Sequence, residues 1–137
     1  MNYQLLLGRG DVLLLLDHAE KGLPLESVAL LFGLVEGKEV RVRTIELLEN
    51  DLSSRTEFSI DPVIQYRLLV DAEEREEELV CIFHSHPAPP YPSTKDVRNM
   101  KLNPVVWLIA SKMTGAWEYR AHILQDGETQ QVTITLS

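Results

Sequence analysis

Hydrophobic and polar positions divide the chain into short runs of two different periods. From Gly10 to Lys21 the sequence GDVLLLLDHAEK reads as a short apolar helix, which Gly22 and Pro24 bring to an end. Residues 25–35 form a longer apolar run that periodicity alone leaves open between buried strand and helix. Its flank decides the matter. Glu36-Gly37-Lys38 suits a hairpin turn, and Glu39 to Ile45 alternates as a half-buried strand does, so the spacing predicts a β-hairpin. A polar loop (Glu49 to Arg55) and a short strand around Phe58 follow. Asp61-Pro62 then opens a helix, with Asp as cap and Pro at the first helical position, and Val63, Tyr66, Leu69 and Val70 share one of its faces. Glu73 to Glu78 read as a solvated helix end. Leu79 to His84 form a buried strand. Pro87 to Pro92 hold four of the seven prolines and predict a stiff loop without regular pairing. A short helix from Ser93 and three strands complete the pattern: Val105–Ala110, Trp117–Leu124 and Thr129–Leu136, with turns at Gly115 and Asp126-Gly127. Helices with largely antiparallel strands, no βαβ series and no glycine-rich phosphate loop indicate an α+β fold. Residues 1–137 are read as one domain.

Composition narrows the class. A chain of 137 residues, 45% of them hydrophobic, suits one globule with an ordinary core. Thirteen Lys and Arg against 21 Asp and Glu give a net charge of −8. An acidic surface repels phosphate backbones, and no basic stripe or basic helix stands out, so nucleic acid is not an expected partner. The single cysteine, Cys81, excludes an intramolecular disulfide. The first apolar run, Val12 to Leu16, is far shorter than the roughly 20 residues of a membrane span, and no basic segment marks it for secretion. These features lead to the expectation of a cytoplasmic protein that does not enter membranes.

The chemistry concentrates in His84-Ser85-His86-Pro87, followed by Ser93-Thr94-Lys95-Asp96. Residues two apart on a strand point to the same face, so His84 and His86 can present two imidazoles to one ion. Asp96 returns after the loop as a candidate third ligand. Two imidazoles and one carboxylate leave a fourth position open on Zn²⁺, the layout of a catalytic rather than a structural zinc site, where bound water has a pKa of about 7. A plainer reading stands beside it. Ser93-x-x-Asp96 also fits a helix capping box, and the two readings compete for the Asp96 carboxylate, whereas Ser93 can cap and still face a metal. A hydrolase further needs a base to handle the proton of the attacking water. Glu26, a charge at the opening of an apolar strand, is the best candidate, against a plain surface position.

Taken together, Glu26-x-x-Ala29-Leu30-Leu31-x-Gly33, His84-Ser85-His86-Pro87 and Ser93-x-x-Asp96 resemble the JAMM (MPN+) metalloprotease family, over nearly the whole chain and in element order. The resemblance implies an MPN domain with a mixed, mostly antiparallel sheet flanked by helices. It implies His84, His86 and Asp96 as ligands of one zinc ion. It implies Glu26 as general acid/base and Ser93 as the hydroxyl beside the oxyanion. The implied activity is a zinc isopeptidase, cleaving a ubiquitin-like modifier from a lysine. The alternatives are a hydrolase of the same fold acting on a sulfur-carrier protein or small adduct, and a non-catalytic interaction module. The shortness of the chain resembles a minimal prokaryotic, archaeal-type member of desampylase-like kind. Six residues separate His86 from Ser93 where the family usually has seven, a loss expected to fall on the loop. A sheet edge beside the zinc is expected to pair with the modifier's extended tail. Oligomeric state is left open.

The remaining candidates take structural roles. His18 and His122 are expected to be surface or packing histidines, Trp107 and Trp117 core residues, and Cys81 a buried apolar residue facing away from His84 and His86. Tyr91 is either a substrate contact or a loop aromatic packed back on the fold.

Overall fold

A computed structural model describes residues 2–50 and 60–137. The elements run β1 (Gln4–Leu7), α1 (Arg9–Gly22), β2 (Val28–Glu36), β3 (Glu39–Leu48), α2 (Pro62–Glu74), β4 (Glu78–Ser85), α3 (Thr94–Leu102), β5 (Val106–Ser111), β6 (Glu118–Gln125) and β7 (Glu128–Leu136). The α+β reading holds, and the predicted hairpin is β2–β3, turning at Gly37. The strand expected around Phe58 lies outside the described residues. No helix is long and apolar enough to cross a membrane among the described residues.

The strands follow the order β1-β3-β2-β4-β5-β6-β7 and close on themselves through β1 and β7. Two features were not legible in the sequence. The first is β1, four residues held between parallel partners on both sides, β3 and β7. The second is a β4–α3–β5 crossover with parallel strands, in which Cys81 pairs with Val106 and Ser85 with Ala110. The proline loop and α3 are its connection.

Alternation along the strands gives the sheet two buried faces. One carries Ala29, Leu31, Cys81, Phe83, Leu108 and Ala110 and packs on Val12, Leu15 and Ala19 of α1. The other carries Leu30, Phe32, Ile82 and Trp107 and packs on Ala72 of α2 and Met100 of α3. Asp61 caps α2 as expected, accepting from the Val63 amide at 2.9 Å. On α2 Leu68 and Ala72 turn inward, whereas Val63, Tyr66 and Leu69 of the shared face are exposed. Apolar residues lie on both sides of this helix, so composition could not tell which side docks.

Gly33 shows why the apolar strand β2 contains a glycine. The register slips against β3 between Phe32 and Gly33, and against β4 between Leu31 and Phe32. A Cβ at Gly33 would sit 1.8 Å from the Arg41 carbonyl oxygen. Only glycine admits that approach.

Candidate metal centre

The site forms where the second face of the sheet reaches its end. In the β2–β4 ladder Val28 pairs with His84, and the pairing continues through the Ser85 amide to the Ser27 carbonyl at 3.0 Å. Counting on by the same register sets Glu26 opposite His86. Directly paired residues share a face, so Glu26, Val28, His84 and His86 lie on one side of the sheet. His86 stands one residue past β4, held by its amide to the Ala110 carbonyl of β5 at 3.0 Å. Glu26 itself precedes β2 by two residues rather than opening it. Its carbonyl accepts from Asn50 Nδ2 at 3.0 Å, and the next amide, Ser27, donates to Ser85 Oγ at 2.9 Å.

Asp96 arrives from α3, and both readings of it hold at once. Its Oδ2 accepts from the Ser93 amide at 2.8 Å while Ser93 Oγ accepts from the Asp96 amide at 3.1 Å, which is the reciprocal capping box. Its Oδ1 meanwhile stands 3.1 Å from His84 Nε2. The competition expected from the sequence does not arise, because the two oxygens divide the duties. The six-residue loop therefore delivers Asp96 to His84 without displacing the helix cap.

Glu26, His84, His86 and Asp96 are all buried, an arrangement that charged groups adopt only when paired. His84 lies between two carboxylates, with Nδ1 3.4 Å from Glu26 Oε1 and Nε2 facing Asp96. Burial alone would lower its pKa, but hydrogen bonds and charge from Asp96 and Glu26 outweigh that and raise it to about 9. Burial would likewise raise the Asp96 carboxyl, which His84 and the Ser93 amide instead hold down, to about 2. His86 Nδ1 lies 3.0 Å from the Ala88 carbonyl, and its Nε2 lies 3.2 Å from the Tyr91 carbonyl and 3.8 Å from Asp96 Oδ2.

Among the described residues no three of His, Cys, Asp or Glu stand as a ready-made metal cage. The side chains bond to one another and to loop carbonyls instead. The donor set nonetheless fits zinc. Ligands at 2.0–2.1 Å from a tetrahedral ion lie about 3.3 Å apart, close to the 3.1 Å between Asp96 Oδ1 and His84 Nε2, whereas the nearest contact of Asp96 to His86 is 3.8 Å and comes from the capping oxygen, Oδ2. With Nδ1–H donating to Ala88, His86 would offer Nε2 to a metal, the usual outer-shell arrangement for a metal-bound histidine, once Nε2 gives up its contact to the Tyr91 carbonyl.

The fold brings Ser93, His84, His86, Asp96 and Glu26 to one place, so every candidate site residue converges there. His122 joins them from the far side of the loop. Its ring is buried, Nε2–H donates to the Pro90 carbonyl at 2.9 Å, and Tyr91 stacks obliquely on it at 5.5 Å. His122 is a packing histidine as expected, but what it packs is the loop that positions Asp96. Its signal in the sequence was absent, because the contact spans 32 residues. His18 bridges the Val28 and Leu48 carbonyls at the ends of β2 and β3. Trp107 is a core residue as predicted. Trp117 is only half buried and, with Leu23, Leu25 and Met113, lines a cleft of about 340 Å³ whose wall also includes Glu26 and His86. Cys81 faces the opposite side, and burial raises its thiol pKa well above the ordinary range.

A profile of prokaryotic homologues of the JAB domain matches residues 11–122, which contain all of these side chains. The chain belongs to the prokaryotic JAB (JAMM/MPN) family. Desampylase from Pyrococcus furiosus is 44% identical over 95 residues, which cover 69% of this chain and 66% of that protein. The 26S proteasome non-ATPase regulatory subunit 14 of Dictyostelium discoideum is 33% identical over 79 residues, 56% of this chain and 26% of that one. Less than two thirds of either curated relative is thus matched. The solution structure of a Desulfitobacterium hafniense protein superposes with a TM-score of 0.84 at 28% identity, covering 97% of this JAB-family chain and 92% of its own.

Proposed function

We propose that this JAB-family protein is a zinc-dependent isopeptidase that releases a ubiquitin-like modifier from a lysine side chain. The observation that carries the reading is the buried cluster in which Asp96 contacts His84 and stands close to His86, with Glu26 beside them. The likeness to the P. furiosus desampylase supports the substrate class. His84, His86 and Asp96 would hold the metal, which when bound supplies a Lewis acid for the scissile carbonyl and a nucleophile available at neutral pH. Glu26 takes the proton of the attacking water on its carboxylate and returns it to the departing lysine Nζ. Ser93, fixed by the capping box at the start of α3, donates its hydroxyl to the developing oxyanion. Every strand has two neighbours, but among the described residues Val42–Leu48 of β3 pairs on one side only. That half-open edge ends beside Val28 and Glu26, and it is our choice for strand addition by the tail.

The test is zinc content and turnover measured together. The wild-type protein should carry one zinc per chain and cleave a lysine-linked conjugate. Glu26→Gln should keep the zinc and lose roughly 10²–10⁴-fold in kcat, the usual worth of a positioned acid/base. Near-full activity in Glu26→Gln would remove Glu26 from the mechanism. A protein that takes up no zinc would favour the non-catalytic interaction module.

A further inference from the structure

Two hollows meet at Glu26. One, of about 380 Å³, lies where β3 ends and β2 begins and is lined by His18, Leu48, Glu49 and Asn50. The other is the 340 Å³ cleft, lined by Leu23, Pro24 and Leu25 after α1 and by Met113 and Trp117 between β5 and β6. Glu26 belongs to the wall of both, and His86 to that of the cleft. The two differ in chemistry. Polar side chains and the half-open run Val42–Leu48 of β3 adjoin the first. The second is mainly apolar, and β5 and β6 beside it are each paired on both sides. Lys112 in its lining is already paired with Glu20, so that charge is balanced. The volume of the cleft lies at the low end of the range for small-ligand sites, about 300–1,000 Å³. It admits a side chain and not a folded domain.

We infer that the cleft is the leaving-group subsite, in which Leu23, Leu25, Met113 and Trp117 hold the alkyl stem of the substrate lysine, an inference that rests on the isopeptidase reading. Glu26 returns a proton to the departing nitrogen, so that nitrogen must sit at Glu26, with the acyl tail on one side of it and the lysine on the other. Strand addition needs unpaired backbone, which the β3 side has and the strands beside the cleft lack. The tail therefore takes the first hollow and the lysine the second. The four-carbon stem of lysine makes no hydrogen bonds and gains from apolar walls alone, which these residues provide. Selection then follows from length, because a shorter stem leaves part of the wall in water.

The experiment uses the zinc-loaded full chain and two conjugates of a P. furiosus ubiquitin-like modifier with a short peptide. In one the modifier is joined to a lysine side chain, in the other to 2,3-diaminopropionate, whose side chain is shorter by three methylenes. Leu23 and Met113 are 46% and 64% exposed, so Leu23→Ser/Met113→Ser should fold and bind zinc as wild type does. Wild type should favour the lysine conjugate in kcat/KM. The double variant should lose roughly fourfold to fiftyfold of that preference, from one to three methylenes no longer buried. Intrinsic differences between the two amines cancel in this ratio of ratios. A second readout needs no turnover: the Kd of the labelled lysine conjugate for Glu26→Gln protein should rise by a similar factor when Leu23→Ser/Met113→Ser is added. A wild type indifferent to stem length, or a variant that keeps the wild-type preference, overturns the subsite. So does a variant whose selectivity changes for Ala in place of Gly at the penultimate position of the modifier but not for the amine, a result that puts the tail in the cleft. Zinc-loaded wild type that cleaves neither conjugate refutes the isopeptidase reading itself, whereas equal cleavage of both refutes the subsite alone.

Discussion

The two faces of one sheet divide the work of this protein, and β4 shows it within eight residues. Cys81 and Phe83 point into the layer under α1, where they are fully buried among apolar side chains such as Leu15, Ala29, Leu31 and Leu108. Ile82 and His84 point the other way, toward α2 and α3, where the layer begins with Leu30, Phe32 and Trp107 and ends in two imidazoles and two carboxylates. Packing on the first face is stabilising outright. On the second, groups that cost free energy to bury are held by pairing with one another. The comparison teaches that the site is not a surface feature added to the core. It is the end of the core layer itself, where register continues but apolar content stops.

The comparison breaks first at Asp96. Asp96→Ala removes a ligand and a cap together, and we expect zinc to be lost and turnover to fall roughly a thousandfold or more, the several kcal/mol that a metal supplies to such a reaction. Stability should fall by about 1 kcal/mol for the cap and further for His84, which loses a buried partner. Metal analysis beside thermal melting separates the two. Full zinc occupancy in this variant would exclude Asp96 as a ligand.

Phe83→Ala probes the opposite face and should reverse that pattern. Truncating a fully buried aromatic costs about 3–5 kcal/mol of stability, read from urea unfolding. Zinc per folded chain and KM should not change. Loss of zinc from molecules that remain folded would show that the faces are coupled rather than divided.

How far the sequence discloses each face follows from the range of its contacts. The hairpin, the caps at Asp61 and Ser93 and the turn at Gly37 are local, and their residues announce them. The site residues were legible for a similar reason: strand parity aligns His84 with His86, and Ser93-x-x-Asp96 is a single helical turn. β1 and the parallel β4–β5 pairing depend on partners far along the chain, so no local pattern marks them. Neither the cap-or-ligand choice at Asp96 nor the role of His122 could be settled from spacing, because both depend on which atom faces which neighbour.

Gly33→Ala sharpens the comparison from the framework that serves both faces. The added methyl meets backbone, which cannot swing aside, and overpacking of this sort costs about 1–3 kcal/mol. The slip at Gly33 lies seven residues from Glu26 along β2, so the strand must shift at one end while its pairing to His84 stays in place. We expect lowered stability with zinc binding retained, measured by melting and metal titration. A variant as stable as wild type would mean that β3 moves away freely and the bulge is not fixed.

The smallest effect concerns His122, which anchors the proline loop on the second face. Burial lowers its pKa below the ordinary 6.5, partly opposed by its bond to the Pro90 carbonyl and aided by the charge of Arg120. The folded state therefore favours the neutral ring. Between the depressed folded value and 6.5 the unfolded chain binds more protons, so this contribution to stability is complete above 6.5 and is lost as pH falls through that window. His84 has the opposite sign, with a pKa raised to about 9 and stabilisation that fades as pH rises toward it. It is present in wild type and variant alike and cancels in their difference. Gln at position 122 can still donate to Pro90 but does not titrate. The stability of metal-free wild type minus that of His122→Gln should thus fall by a fraction of a kcal/mol from pH 7.5 to pH 5.5, followed by urea midpoints. A difference that stays level with pH would show that the His122 ring accepts its proton as readily in the folded protein as in the unfolded chain.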